Sequence, residues 1–552
     1  MKKLPLQIVK TKMRAIVLKR NLNEAVKAQW VLLFIAVFVA VAFSFLAIRT
    51  PMTADTGGYE YAARQLILGQ GLAFDDPNNA LAGKFFSPFA FQIKRPEDPR
   101  LYLGFPPGFP LLLALPGIVT GVPEIIHYVV PILAAVGLLL TYYLARWLVK
   151  NEWVALLAAG IVAFMPIYWR FGTEAWSEIP SMSVVLIGIL FYLRARDETS
   201  SEQAKTCYAL LAGATLVFSL FIRYSNVTFL LSIGLAELIA RPKKLLRPSK
   251  KWLFYGVLFI GLLGILAFNH FYYGGVRLTS YSPENAWYNF PPFSLSYALG
   301  ASPIDGFSLI EAGKSLWENF SFLLLFVPLG LWALPQQFRL LVLLTILASL
   351  GLYSVYAFAP TGINSRFLIP VFPFLAVLAA QGIGLLLKKL PDYRVQTGFV
   401  LLIFGGLGWH LYPEVAELRT QGPASQTAVS YVRSTLEATE ENAVIMTYDW
   451  VDHVAYYGNR SVLNYRRIPH YETIQDKYRF DLFEPCLVYV VDTLLLSGTP
   501  VYFHEDRSPS LYNAKEVLQN HYLLTVAIEQ PKFLRVSNDD LTAVRASASV
   551  CT

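Results

Sequence analysis

Asp55-Thr56-Gly57-Gly58-Tyr59 follows shortly after an uncharged apolar run, Trp30 to Ala47, and a long loop separates it from Phe105-Pro106-Pro107-Gly108-Phe109-Pro110. The run is long enough to cross a bilayer. Before it stand Lys2, Lys3, Lys10, Lys12, Arg14, Lys19, Arg20 and Lys27. A cleaved leader has a shorter basic region and a shorter apolar core, so the run reads as a retained membrane helix with its basic side in the cytoplasm. Asp55 is then a carboxylate at the external mouth of that helix.

Composition sets the same environment for the whole chain. Of 552 residues, 55% are hydrophobic and 15% charged, with a mean hydropathy of +0.45. Several apolar runs must therefore be solvated by lipid rather than by one core. The net charge of +8 does not read as a nucleic-acid footprint, because Lys and Arg collect at the ends of apolar runs, as membrane topology requires. Three cysteines, Cys207, Cys486 and Cys551, are too few for a disulfide scaffold or a closed zinc site. Cys486 and Cys551 can pair if their region is extracytoplasmic.

The basic and polar breaks Arg146 to Lys150, Arg194 to Lys205, Arg241 to Lys251, Gln336 to Arg339 and Lys388 to Arg394 are expected to face the cytoplasm. Eleven crossings result, starting near Trp30, Ile125, Trp153, Glu178, Ala209, Val227, Trp252, Phe320, Leu340, Phe367 and Phe399. The N-terminus is inside and the C-terminus outside. Pro107 to Val122 is apolar but short and carries Pro110 and Pro116, and a crossing there would invert every later basic cluster. It reads as a re-entrant or interfacial helix.

The expected organisation is a basic cytoplasmic segment, 1–29, a membrane domain, 30–412, and a soluble extracytoplasmic α/β domain, 413–552. The membrane domain has two long external loops, 50–122 and 270–319. The second holds Tyr272, Tyr273, Tyr281, Trp287, Tyr288 and Phe290 among Pro283, Pro291 and Pro292. In the tail, Ser425 to Thr439 and Ala514 to Asn520 have helical spacing. Ala443 to Thr447, Leu487 to Val491, Pro500 to Phe503 and Tyr522 to Ile528 read as strands. Asp449, Asp452 and His453 are spaced as a metal site would require, but caps and surface residues are the commoner use of such a trio.

After Asp55, the residues Tyr59, Ala62, Ala63, Leu66 and Ile67 follow an i, i+3, i+4, i+7, i+8 pattern, predicting a short amphipathic helix ended by Gly69 and Gly71. Asp55 falls in its first turn, where a capping role is compatible with chemistry. Glu60 lies off the apolar stripe and reads as solvated. In the short turn Arg170-Phe171-Gly172-Thr173-Glu174-Ala175-Trp176-Ser177-Glu178, two acids are held at the membrane surface, either facing a cavity or paired with Arg170. Arg223 and Arg366 stand at external helix ends against the positive-inside trend. Each is suited to bind a phosphate bidentately or to snorkel towards headgroups.

Asp55, Tyr59, Ala62, Leu66, Gly69, Gly71 and Pro106-Pro107-Gly108-Phe109-Pro110 together resemble the first-loop pattern of GT-C glycosyltransferases, the broad family of protein O-mannosyltransferases and the lipid A aminoarabinose transferase. The likeness continues through the acidic second turn, Arg223-Tyr224, and Ser365-Arg366-Phe367-Leu368-Ile369-Pro370-Val371-Phe372-Pro373. It covers roughly Trp30 to Leu387.

The resemblance implies a multi-pass plasma-membrane enzyme passing sugar from a polyprenyl-phosphate donor to an acceptor hydroxyl of a glycan, lipid or protein, usually with inversion. It makes Asp55 the general base. Arg223 and Arg366 bind the carrier phosphate, Glu174 or Glu178 orients a substrate, and Tyr59 lies in the substrate-binding loop; no metal or other cofactor is implied. Two departures stand out. Relatives often have Asp-Glu where this chain has Asp55-Thr56, and many have a phosphate-binding lysine where it has Phe105, for which Lys84, Lys94, Arg95 or Arg100 are possible substitutes. The alternative is a transporter or flippase of a lipid-linked glycan, but no inverted repeat or interrupted helix pair is evident.

Overall fold

The computed structural model describes residues 26–50, 53–95, 97–240, 251–276, 293–299, 308–358, 362–390, 392–465, 468, 480–505 and 514–551. The N-terminal basic cluster before Val26, the 241–250 break, and Tyr281, Pro283, Trp287, Tyr288, Phe290, Pro291 and Pro292 lie outside these residues. Among the described residues, nine helices are long and apolar enough to span a membrane: Val26–Leu46, Pro123–Val149, Glu178–Ala195, Glu202–Ile222, Trp252–Tyr273, Leu309–Ala333, Gln336–Ser354, Gly362–Leu387 and Tyr393–Leu436. The pair Glu152–Ala163 and Pro166–Gly172, bent by 65°, is long and apolar enough together to form a tenth, broken span or a re-entrant loop. The bend falls where Pro166 begins the second piece, since proline has no N–H to continue the first helix and fits the opening of a new one. The remaining expected start, Val227, falls on the shorter apolar helix Tyr224–Ala240. The protein is a polytopic α-helical membrane protein.

The awkward Pro107 to Val122 segment forms a helix, Gly108–Thr120, of 13 residues. At 1.5 Å per residue it reaches only about 20 Å, less than the hydrocarbon thickness. It packs on the amphipathic helix Ala54–Ile67, with Phe109 against Tyr59 and Gly117 against Ile67. Between these two helices the first loop adds a small antiparallel sheet in the order β1-β3-β2, formed by β1 (Ala73–Phe74), β2 (Phe91–Arg95) and β3 (Asp98–Leu103).

The long last helix, Tyr393–Leu436, runs through the expected boundary at Tyr412 without a break. Its 44 residues extend about 66 Å, twice the bilayer core, so it crosses the membrane and then carries the tail as a stalk. Beyond it, β4 (Val444–Thr447), β5 (Ser461–Asn464), β6 (Val501–His504), β7 (Leu523–Ile528) and β8 (Phe533–Ser537) form a sheet in the order β5-β4-β6-β8-β7. β4 runs parallel to β5 and β6, while β8 is antiparallel to β6 and β7.

One expected strand is a helix. Leu487 to Val491 lies inside Phe480–Leu496, and Leu487, Val488, Val490 and Val491 are all buried. A short run that is apolar on every side has no periodicity to separate strand from helix. Cys486 on this helix forms a disulfide with Cys551.

The tail is fastened to the first loop by polar contacts. Phe86 bridges Leu463 on the edge strand β5, and the Asn464 amide donates to the Phe85 carbonyl at 3.1 Å. Ser461 donates to Asp76 at 2.6 Å. Asp452 accepts the Phe89 amide at 2.9 Å, so this member of the acidic trio serves as a clasp between loop and tail. Among the described residues no group of three or more His, Cys, Asp or Glu side chains is placed to hold a metal ion.

Inside the membrane, small residues allow close helix contact. A Cβ on Gly330 would lie 1.8 Å from the Leu378 carbonyl oxygen, whereas one on Gly313 would meet nothing within 4 Å. Gly330→Ala is therefore expected to destabilise the protein by about 1–3 kcal/mol through overpacking, with Gly313→Ala near neutral. Thermal unfolding of the two variants in detergent checks this, and equal midpoints would refute it.

Candidate active site

Thr53 caps the helix Ala54–Ile67, its hydroxyl accepting the Thr56 amide at 3.3 Å. The Asp55 carboxylate is thereby spared capping duty. It faces a cavity of ≈ 500 Å³ whose wall also includes Tyr59, Arg223 and Arg366. Arg366 Nη2 donates to Asp55 Oδ2 at 2.6 Å, and its Nε lies 3.0 Å from Glu178 Oε1. Arg223 Nη1 donates to the same Glu178 oxygen at 2.6 Å and to Ser177 Oγ at 2.7 Å. Two arginines and two carboxylates thus form one chain, Asp55–Arg366–Glu178–Arg223.

Each member comes from a different stretch. Arg366 lies in the 3₁₀ segment Gly362–Val371, only 8% exposed, and its guanidinium stacks on Trp176 with Cζ 3.9 Å from the ring centroid. Arg223 is the last residue before the chain turns from Glu202–Ile222 into Tyr224–Asn226, and it has extended backbone angles. Gly108 seats its helix against this turn: a Cβ there would fall 2.5 Å from the Phe221 carbonyl carbon. Tyr59 is held between Phe105 and Phe109, with ring centroids 4.9 and 4.8 Å away.

Glu178 is 1% exposed and stands behind the two arginines rather than on the cavity wall. Its Oε2 has no hydrogen-bond partner among the described residues. Glu174 is also off the wall. It accepts Thr56 Oγ1 at 2.9 Å and Trp176 Nε1 at 2.8 Å, which ties the Asp55 helix to the ring beneath Arg366. Arg170 pairs with neither acid. It donates to Glu414 at 2.7 Å and Glu417 at 3.1 Å on the stalk helix.

Lys84, Lys94, Arg95 and Arg100 are all absent from the cavity lining. Lys84 donates to the Arg95 carbonyl, Lys94 lies over Phe85, and Arg95 reaches the Tyr102 hydroxyl at 3.3 Å. Arg100 grips Asp98 with two nitrogens. Arg223 and Arg366 are the cations of the cavity among the described residues. The wall also carries apolar and aromatic residues, Phe293, Leu352, Tyr353, Tyr356 and Phe358, none of which the sequence singled out. Glu60, expected to be solvated, is 5% exposed. Its Oε1 is 3.3 Å from His127 Nδ1, and Arg64 lies 3.3 Å from the other ring nitrogen. Burial raises its carboxyl above the usual carboxylate range.

Comparison with known proteins bears on this arrangement. ArnT from Cupriavidus metallidurans bound to undecaprenyl phosphate superposes with a TM-score of 0.55 over 93% of this chain and 99% of that chain, at 13% identity. The fold is that of the GT-C membrane glycosyltransferases. The archaeal oligosaccharyltransferase AglB from Archaeoglobus fulgidus, in complex with an inhibitory peptide and a dolichol-phosphate, shares this GT-C fold. Its TM-score is 0.51 over 93% of this chain and 75% of that one, at 14% identity. The sequence family described as dolichyl-phosphate-mannose-protein mannosyltransferase matches residues 104–281. That range carries Glu174, Glu178 and Arg223 but neither Asp55 nor Arg366. No curated protein sequence matches the chain significantly.

Burial pushes the Glu174 carboxyl up to about 7, against the opposing hydrogen bonds from Trp176 and Thr56. Its pKa in the folded GT-C domain is thus above that of an unfolded glutamate, and the folded state holds the extra proton between roughly pH 4.5 and 7. Glu174 therefore makes stability fall as pH rises through that window, with the penalty fully present above it. Glu174→Gln is expected to remove this slope, so the difference in unfolding midpoint between variant and wild type should grow from pH 4.5 to 7 in the variant's favour. A difference that stays constant across the window would refute the assignment.

Proposed function

We propose that this protein is a membrane glycosyltransferase that moves a sugar from a polyprenyl-phosphate donor to an acceptor hydroxyl on the extracytoplasmic side, with inversion. The observation that carries the reading is one cavity lined both by a carboxylate and two arginines and by a group of apolar and aromatic side chains. A phosphate attached to an isoprenoid chain has the matching polarity. The ligands of the GT-C structures described above, undecaprenyl phosphate and dolichol-phosphate, have the same chemistry.

Asp55 is the general base. It takes the acceptor hydroxyl proton as that oxygen attacks the anomeric carbon, and the bond from that carbon to the phosphate oxygen breaks. The electron pair leaves with the phosphate, whose charge rises from one to two. Arg366 and Arg223 are positioned to stabilise that rise, because charge-assisted bonds from planar guanidinium groups strengthen as the oxygens become more negative. Glu178 holds both arginines at the wall, and Tyr59 forms part of the floor. Arg366 has a second duty. It pairs with Asp55 at 2.6 Å, so donor phosphate competes with Asp55 for the guanidinium and frees the base as it binds.

The acceptor is a hydroxyl of a glycan, lipid or protein. The basic breaks of the sequence support a cytoplasmic N-terminus and an extracytoplasmic tail in the plasma membrane, and the Cys486–Cys551 disulfide agrees with an oxidising compartment for the tail.

Purified protein incubated with labelled polyprenyl-phosphate sugars tests the reading. Asp55→Asn is expected to lower the transfer rate about 10²–10⁴-fold, the usual contribution of general base catalysis. Turnover that survives this change would remove Asp55 from the role. Absence of turnover with any donor, together with donor translocation in proteoliposomes, would favour the flippase.

Arg223→Gln removes one phosphate-binding fork while leaving the base in place. It is expected to raise the donor KM about 10–100-fold, as loss of a charged hydrogen bond does. Donor titrations at saturating acceptor measure this, and an unchanged KM would place the phosphate elsewhere.

A further inference from the structure

The helices that build the Asp55 cavity enclose a second one at their other ends. The helix Glu178–Ala195 starts beside Arg366 and ends with Arg194 in this second wall, about 24 Å away along the axis. Gln336–Ser354 contributes Tyr353 to the first cavity and Phe338 to the second. The second cavity has a volume of ≈ 1020 Å³ and is lined by Tyr143, Arg146, Trp147, Lys150, Arg194 and Arg196 among others. No step of the proposed reaction uses it.

Its cations fall into two pairs with different duties. Arg146 is held by Glu152 at 2.7 Å, and Arg196 is held by the buried Glu237. These two are structural. Arg194 and Lys150 are exposed and form no salt bridge among the described residues. The Arg194 guanidinium is instead stacked over Trp147, with Cζ 4.8 Å from the ring centroid. Lys150 sits at φ 56°, a left-handed conformation that glycine or asparagine adopts more readily. Asp197 and Glu198 also border the cavity; Asp197 is turned to accept the Thr199 amide at 3.1 Å. The lining also includes apolar residues such as Leu190, Phe191 and Leu341. Ala240, also in the wall, is followed in sequence by Arg241, Lys243, Lys244, Arg247 and Lys250.

We infer that this cavity binds the phosphate headgroup of an anionic membrane phospholipid at the face opposite the Asp55 site. Arg194 and Lys150 hold the phosphate, Trp147 and Tyr143 frame the headgroup, and the apolar wall takes the start of an acyl chain. Basic pockets between membrane helices recognise anionic lipids in this way, each cation adding to the attraction. A free phosphate has no use for the apolar wall.

The full-length protein, purified in neutral detergent and exposed to phosphatidylglycerol or phosphatidylcholine, is examined by native mass spectrometry for retained lipid. Phosphatidylglycerol is expected to be retained over phosphatidylcholine. The Lys150→Asn, Arg194→Gln double variant is expected to lose about thirtyfold of that affinity, from two cations. Lys150→Asn suits the left-handed backbone, and an unchanged unfolding midpoint shows that the double variant is folded. Lys388→Gln with Lys389→Gln, charges outside this cavity lining, is expected to leave retention intact. Equal retention of the two lipids, an equal loss in the control pair, or displacement of phosphatidylglycerol by millimolar inorganic phosphate would each overturn the inference.

Discussion

The guanidinium of Arg366 is the point on which the rest of the site depends. It is nearly buried at the membrane surface, and a charge in that position is costly unless oppositely charged and polarisable groups surround it. Asp55, Glu178 and the Trp176 ring provide that surrounding from parts of the chain far apart in sequence. Each supporting element has its own device for arriving there. Thr53 caps the Asp55 helix, Gly108 allows a second helix to close on the turn before Arg223, and the Glu174 carboxylate ties Thr56 to Trp176.

The same network is balanced in charge: Asp55 and Glu178 face Arg366 and Arg223.

The C-terminal domain is joined to the site by direct contacts. The stalk helix carries Glu414 and Glu417, which hold Arg170 at the start of the acidic turn, while β5 and Asp452 clasp the first loop that follows Asp55. Tail, turn and loop are therefore tied to one another. Glu60, on the same helix that presents Asp55, forms a buried polar pair with His127 of the helix Ile126–Val149.

The amino-acid sequence by itself determined the membrane architecture, because the alternation of apolar runs with basic breaks is imposed by the bilayer and needs no long-range contact. It also singled out Asp55, Arg223 and Arg366, which line one cavity, since ionisable groups at helix ends are costly and so stand out. It misread Leu487 to Val491, whose uniform burial erases any period, and Glu60, whose partner His127 is remote in sequence. Only the tertiary structure decided which charges meet. The four-member chain through Glu178, the stacking on Trp176, the aromatic wall of Tyr353 and Tyr356, and the second cavity at the opposite helix ends all depend on helix rotation and crossing. Those are set by close packing at residues such as Gly330 and Gly108, and pairing between distant side chains leaves no local pattern in a sequence.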